Sequence, residues 1–405
     1  MSNKDADDIM RDVKKSLAEQ VNSEYEEQPL EVKKAPKKKK NKFLSFIKGV
    51  LIALVIAALI LLFLVFTKPG RKILIHFATE YAYSKIDYAG AEEEEITVES
   101  IREENGGIYY PNVHMDEMSD TYKKARHEEG VTNILLIGVE AIGYGQAGGH
   151  TDALMIATIN KNKGTLSLTS LMRDSWVTIP GYTDGRINTA YAKGGINGLF
   201  ETIAYNYDIR IDGYALVGFD SFEKLVDAVG GVDIELTEEE AKYLNKTNYI
   251  SKKKYRKVKA GMNHFNGNQA LGYCRVRKVA TLDGSNYDMG RTSRQRRVLN
   301  AIFTKVKKSN ISELVNLMNT VLPIVETNIR KNNCKNYLAD LFDVGLESKE
   351  LKMLRLPTDG GYTSENINGA SVLVPKWDET KTALHNLVFN GKLPEDYEEK
   401  KENKK

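Results

Sequence analysis

Cysteine is almost absent from this sequence: Cys274 and Cys334 are the only two in 405 residues. Two thiols exclude a disulfide framework. One bridge between them and two buried thiols are both open at this level, and in either case a large folded body must rest on its own apolar core. Net charge is scarce too, at +3, so a local crowd of one sign needs its own explanation. Common catalytic signatures are missing. There is no G-x-x-x-x-G-K-[ST] phosphate loop, no H-E-x-x-H metal pair and no G-x-S-x-G nucleophile elbow. The glycines of "GYGQAGG" (Gly143, Gly145, Gly148) fit G-x-G-x-x-G, but a dinucleotide site needs a helix to open there. The next stretch, "TDALMIATI", reads as a strand, so the glycines read as a loop joining two strands and no nucleotide cofactor is expected.

What the sequence does have is one long uncharged run, "GVLIALVIAALILLFLVFT", from Gly49 to Thr67. Its length matches a helix crossing a bilayer core. A signal peptide is the competitor, but the run is too long and too far from Met1. A single transmembrane helix is therefore expected over residues 43–67. The lysine-rich "KKAPKKKKNK" before it and the sparse basic residues after it place the N-terminal tail, 1–42, in the cytoplasm and the remainder outside. The lysine block could be a nucleic-acid tail. Its place beside the span favours contact with anionic lipid, and no nucleic-acid partner is expected.

Residues 68–130 mix apolar and acidic text and read as an extracellular stalk. The folded body starts at "VTNILLIGVE". Strands "TDALMIATINK" and "GTLSLTSL" come next, joined by an "NKNKG" turn. The stretch "NTAYAKGGINGLFETIAYNYDI" places Ile196, Leu199, Phe200, Ile203 and Ala204 at helical spacing. Strand "GYALVGF", helix "DSFEKLVDAVGG" and strand "VDIEL" continue the alternation, which implies an α/β fold with a sheet covered on both faces. The body is divided into 131–310 and a C-terminal part, 311–393, before a charged tail over 394–405.

Residues 274–297, "CRVRKVATLDGSNYDMGRTSRQRR", carry six arginines. Read as a strand, "CRVR" points Arg275 and Arg277 to one side. A helix starting near Arg291 then puts Arg291 and Gln295 on the same stripe as Val298, Leu299 and Ile302. Cations there oppose both the inward apolar face and the helix dipole. An anion resolves the conflict, because arginine offers paired donors to phosphate oxygens. Ion pairs with Asp283 and Asp288 are the competing explanation. Arg294, Arg296 and Arg297 fall off the stripe and read as solvated. Arg173 and Asp174 end a strand, where α/β sheets commonly hold ligands. Glu140 and Asp152 bracket the glycine loop and suit Mg²⁺ completed by phosphate oxygens, or serve as turn residues and caps. Arg186 and Asn188 precede a helix as ligand contacts or caps.

These stretches, with "NILLIGVE", "GRINTAYAKGG", "GNQALGYCRVR" and "DMGRTSRQRRV" in order, resemble the LytR-CpsA-Psr family of bacterial envelope proteins from about Asn133 to Val306. The resemblance implies an α-β-α sandwich around a mixed central sheet, with a hydrophobic channel for a prenyl chain. It also implies a phosphotransferase that moves an anionic glycopolymer, of teichoic acid or capsule type, from undecaprenyl pyrophosphate to peptidoglycan. In the family, arginines matching Arg173, Arg275, Arg277 and Arg291 bind the pyrophosphate, and a glutamine matching Gln295 assists. Acids matching Asp152 and the position of Glu140 relate to Mg²⁺, and an aspartate near Asp288 belongs to the pattern. This chain departs from it in two places. Glu140 stands where aspartate is usual, which changes reach. His150 stands where arginine is usual, and it holds a charge only below its pKa of about 6.5. A prenyl-pyrophosphate pyrophosphatase and a non-catalytic lipid-binding regulator are the alternatives. The sequence does not place the channel lining; the helix over Ile196 to Ala204 and the adjoining sheet are candidates for it.

Overall fold

Three strands rich in β-branched and aliphatic residues form the centre of a mixed sheet: β2 (Val131–Val139), β3 (Ala153–Asn160) and β7 (Gly213–Gly218). In the computed structural model, the described residues are 13–16, 87–88, 118–139, 151–309 and 350–395. Residues 313, 317, 319–320, 324–329, 333, 336–337, 340–341 and 344 are described as well. The chain divides into units Met1–Phe63 and Leu64–Lys405, and the sheet belongs to the second. The expected span at 43–67, Glu140, His150, the glycine loop and Cys334 lie outside the described residues. No helix among the described residues is long and apolar enough to cross a membrane.

The sheet has seven strands in the order β1-β10-β7-β2-β3-β4-β11. The outer members are β1 (Asp87–Tyr88), β4 (Thr165–Leu171), β10 (Glu326–Thr327) and β11 (Leu351–Leu356). β2 pairs antiparallel with β3 and parallel with β7, and β4 pairs parallel with β11. Strands from residues 87, 326 and 351 therefore join one sheet with those between 131 and 218.

Side chains alternate across a strand, and the two faces are treated differently. Leu135, Ile137, Leu154, Ile156, Tyr214 and Leu216 are sealed in one apolar cluster. That cluster is closed by helices α2 (Ala190–Tyr207) and α7 (Trp377–Asn390). The predicted helical stripe of Ile196, Leu199, Phe200, Ile203 and Ala204 lies in it, at most 3% exposed. At 20–33 cal/mol per Å² of apolar area, this layer supplies the main driving force of the fold. The opposite face is covered by helices α3 (Phe219–Ala228), α5 (Gly267–Arg275) and α6 (Tyr287–Lys308). A second cluster lies among these helices, β8 (Val232–Leu236), β9 (Gly261–Phe265) and α4 (Glu238–Lys246). The expected mixed α/β sandwich is present.

A hairpin, β12 (Tyr362–Ile367) with β13 (Ala370–Pro375), closes on Asn368-Gly369, both at positive φ. Its second strand reaches the end of β4: Leu373 N–H donates to the Asp174 carbonyl at 2.9 Å.

Candidate functional site

The second face of the sheet does not pack tight. Leu136 and Gly138 on β2, Ala153 and Met155 on β3, and Ala215 and Val217 on β7 line a cavity of about 490 Å³. Half of these residues are Gly or Ala, so the floor stands back from the helices. The walls are Phe219, Phe222 and Leu225 of α3, Leu271 and Cys274 of α5, and Leu299 of α6. Burial pushes the Cys274 thiol up to about 12, so it lines the wall as a neutral group. Of the two candidates for a channel lining, one borders this cavity. The sheet contributes, but the helix over Ile196 to Ala204 lies on the other face, because its apolar stripe is consumed by the packed core.

Polar lining gathers where β2 and β7 end and β3 begins: Asp152, Arg275, Arg277, Arg291 and Gln295. Asp152 is held there by its N–H, which donates to the Gly138 carbonyl at 2.9 Å. Arg291 bridges two carboxylates. One guanidinium nitrogen lies 3.3 Å from Asp152 and another 3.0 Å from Asp288. Burial, with Arg173 and Arg277 nearby, lowers the Arg291 pKa from its ordinary value, against the pull of Asp288 and Asp152. Its side chain is only 5% exposed. Arg173 lies just past the end of β4 and reaches Asp152 at 3.3 Å, Asp288 at 3.3 Å and Asp174 at 3.7 Å. Arg277 lies 3.5 Å from Asp288, and Arg186, on the short β6 (Gly185–Arg186), lies 3.5 Å from Asp174.

Four guanidiniums thus share three carboxylates, and Arg275 adds a further charge at the cavity, stacked 5.0 Å over Phe219. Ion pairs and an anion site were alternatives in the sequence. The structure contains the pairs with Asp288, and among the described residues five arginines meet three aspartates. Several buried donors and acceptors also lack aligned hydrogen bonds: Arg173 Nε, Arg186 Nε, Arg291 Nε and Asp288 Oδ1. Buried polar groups are normally satisfied, so this cluster is built to accept further oxygens. Asp283 does a different job. It accepts from the Ser285 N–H and the Ser293 and Thr281 hydroxyls, fixing the loop ahead of α6.

Mg²⁺ needs oxygen ligands, and this cluster offers two carboxylates. Asp152 and Asp288 both contact Arg291 from its two sides, and Asp288 Oδ1 accepts no hydrogen bond although three guanidiniums lie within 3.5 Å. Among the described residues no group of three or more His, Cys, Asp or Glu is gathered for a metal. A hard cation of this kind would take one or two carboxylates and complete its shell with water and phosphate oxygens.

Three readings of the arginine stretch change. "CRVR" is not a strand: Arg275 ends helix α5, and Arg277 lies in the loop after it. Asn266 and Gln269 form a capping box that starts this helix, and Ala270, Tyr273 and Cys274 bury one side of it. Gly267 lets it begin hard against α3, since a Cβ there would meet the Glu223 carbonyl oxygen at 2.0 Å. The arginines still converge on the cavity, by a helix end and a turn instead of strand alternation. Helix α6 starts at Tyr287, not near Arg291, and Asn286 caps it. Arg294 is not solvated but fully buried against Glu240. Arg297 donates to the Glu235 carbonyl at 2.6 Å and to the Tyr273 hydroxyl, and Arg296 is half-buried. The wall from α3 was missed, although Phe219 and Phe222 are spaced as one helical face. Asn188 is buried with its Oδ1 unsatisfied, beside Arg173 through its backbone.

A family model described as "LytR_cpsA_psr family" matches residues 85–387. The chain is 33% identical over 202 residues to the polyisoprenyl-teichoic acid–peptidoglycan teichoic acid transferase TagV of Bacillus subtilis (strain 168). That match covers 49% of this chain and 50% of that protein, so it spans half the relative's length. To the similarly named TagU of Bacillus mycoides (strain KBAB4) it is 27% identical over 282 residues, covering 65% of this chain and 86% of that protein. The crystal structure of B. subtilis TagV aligns with a TM-score of 0.51 at 28% identity, over 65% of this chain and 98% of that one.

Proposed function

The chain belongs to the LytR_cpsA_psr family, and from that premise we propose that it is a membrane-anchored phosphotransferase. In this reading it moves an anionic glycopolymer, of teichoic acid or capsule type, from undecaprenyl pyrophosphate onto peptidoglycan. The names of TagV and TagU support a teichoic acid substrate. The observation that carries the reading is one cavity with two chemistries: apolar walls sized for a prenyl segment, and an arginine-rich cluster where the strands end.

Each end of that cavity has a task. The prenyl chain lies against Ala215, Val217, Phe222 and Leu299. The pyrophosphate, carrying negative charge on the oxygens of both phosphates, lies among Arg275, Arg277, Arg291 and Arg173, with Gln295 as a neutral donor. A peptidoglycan hydroxyl oxygen attacks the polymer-bearing phosphorus. A new P–O bond forms, the bridging P–O bond breaks, and undecaprenyl phosphate leaves with the bonding pair. Fixed guanidiniums stabilise the charge that shifts to the leaving oxygen, usually the dominant source of rate enhancement in such reactions. The hydroxyl proton goes to a carboxylate. Asp174 and Asp152 are the candidates: Asp174 is held by Arg173 and Arg186 outside the cavity lining, whereas Asp152 is part of it. When bound, Mg²⁺ would neutralise phosphate charge, with Asp152 and Asp288 as the described carboxylates able to hold it; Glu140 is the further candidate. The apolar run at 49–67 tethers the domain to the plane of its lipid donor, with the N-terminal tail cytoplasmic and the catalytic body outside.

The test is product identity. Full-length protein is incubated with a prenyl-pyrophosphate glycan, peptidoglycan oligomers and Mg²⁺, and products are weighed by mass spectrometry. Glycan joined to peptidoglycan through one phosphate supports the transferase. Free glycan phosphate formed equally with and without acceptor supports a pyrophosphatase. Donor that is bound but intact supports a lipid-binding regulator.

A further inference from the structure

Arg294 lies one residue from Gln295 and three from Arg291, yet it faces away from the cavity. It is 0% exposed, and its partner Glu240 is 1% exposed. Nε donates to Glu240 Oε1 at 2.9 Å, Nη1 to the Val276 carbonyl at 3.1 Å, and Nη2 to the Val279 carbonyl at 2.9 Å. The guanidinium also stacks 5.6 Å over Tyr273. Its position is fixed in turn. The other Glu240 oxygen accepts the Thr237 N–H at 3.0 Å in the capping box of α4. Gly290 leaves it room, since a Cβ there would come within 3.2 Å of Nη1.

The two carbonyls it holds flank Arg277. The Arg277 carbonyl itself accepts the Tyr287 N–H at 2.9 Å, from a residue at φ 49. Three backbone anchors within four residues thus fix the loop that carries one anion-facing guanidinium. A buried ion pair is weak evidence for stability, because apolar residues of similar volume often serve as well or better. Its planar, multiply directed donors are what apolar residues cannot replace.

We propose that Arg294, locked by Glu240, is a positioning residue: it sets the Arg277 loop so that Arg277 meets the pyrophosphate, without touching substrate. This rests on the anion site proposed above, and the experiment separates the two. Full-length protein is titrated calorimetrically with inorganic pyrophosphate and with farnesyl pyrophosphate. The variant pair is Arg294→Met with Glu240→Gln, which leaves no uncompensated charge and keeps an acceptor for Thr237. Binding should weaken on the order of tenfold, the scale of one hydrogen bond to a charged group. The same pair introduced into Arg277→Ala should cost nothing more, because contacting residues that act as a unit are not additive. Arg294→Lys keeps the charge beside Glu240 but not the fork, and should fall between wild type and the pair. It serves as the readout if the pair fails to fold.

Wild-type affinity in a folded pair, or in Arg294→Lys if the pair does not fold, would overturn the proposal. So would a loss that adds in full to that of Arg277→Ala. If wild type binds neither probe, the anion site itself is wrong and the inference falls with it. If Arg277→Ala weakens binding and the Arg294 variants do not, only the inference falls.

Discussion

Neighbouring residues on β2 meet opposite fates. Leu135 and Ile137 are sealed against α2 and α7, while Leu136 and Gly138 look onto the cavity. The same alternation divides β3 and β7. On the packed face the side chains are large and interlock with Phe200, Leu199 and Ile203. On the other, Gly138, Ala153 and Ala215 are too small to fill the space beneath the helices. A protein gains stability from apolar area removed from water, so an unfilled apolar face is stabilisation forgone. The packed face holds the sheet, and the open face is free to bind. The charged cluster sits where the open face ends, and its two layers differ in turn. Arg291 and Arg277 face the cavity, and Arg294 is buried away from it against Glu240.

The largest expected effect comes from the open face's charged end. Arg291→Ala removes the more deeply buried of the two guanidiniums, Arg291 and Arg173, that bridge Asp152 and Asp288, and turnover should fall on the order of 10²–10³-fold. Arg291→Lys should rescue little, because an ammonium cannot span both carboxylates. Initial rates measure both, and rates within threefold of wild type would erase the distinction between this residue and a surface arginine. Next comes the packed face. Phe200→Ala should cost about 3–5 kcal/mol in urea unfolding, and Leu299→Ala, in the cavity wall, distinctly less. Equal costs would mean the two faces are packed alike.

A sharper contrast uses small residues. Ala190→Leu, in the sealed layer, should cost about 1–3 kcal/mol through overpacking. Ala215→Leu, in the cavity floor, should leave unfolding nearly unchanged and weaken prenyl-pyrophosphate binding about tenfold, roughly the worth of an apolar side chain's burial. The smallest effect concerns the wall thiol. With Cys334→Ser as background, Cys274 should react with maleimide at pH 8 far more slowly folded than unfolded, because burial pushes its thiol up to about 12. The sign for stability is then set: a raised thiol pKa favours the native state below its ordinary value of 9.0 no less than at neutrality, and that stability is lost as pH rises beyond it. Unfolding curves that show no decline above pH 9 would place the thiol in solvent.

Much of the architecture was legible in the residues. The central strands announced themselves through β-branched runs, and Arg173 and Asp152 through their places at strand ends. The excess of arginine over local acid pointed to an anion before any geometry was known. Other features were not legible. The stretch before Arg275 mixes Gly, Ala, Tyr and Cys with no strong period, so its helix shows only in the Asn266 and Gln269 cap. Arg294 was read as solvated because α6 is buried on more than one side, and a single apolar stripe misses that. The joining of residues 351–356 beside β4 depends on pairing across a long separation, which no local pattern encodes. The assignment of the open face to α3 and α5 was equally hidden, since either set of helices could have covered it.

The most direct measurement is a calorimetric comparison of farnesyl pyrophosphate, farnesol and inorganic pyrophosphate on wild type, Ala215→Leu and Arg277→Ala. The prenyl pyrophosphate should bind wild type more tightly than either part. Ala215→Leu should remove the prenyl gain and leave inorganic pyrophosphate untouched, and Arg277→Ala should do the reverse. If Ala215→Leu changes nothing, or if both variants lose both probes together, then the open face is not where lipid and pyrophosphate meet.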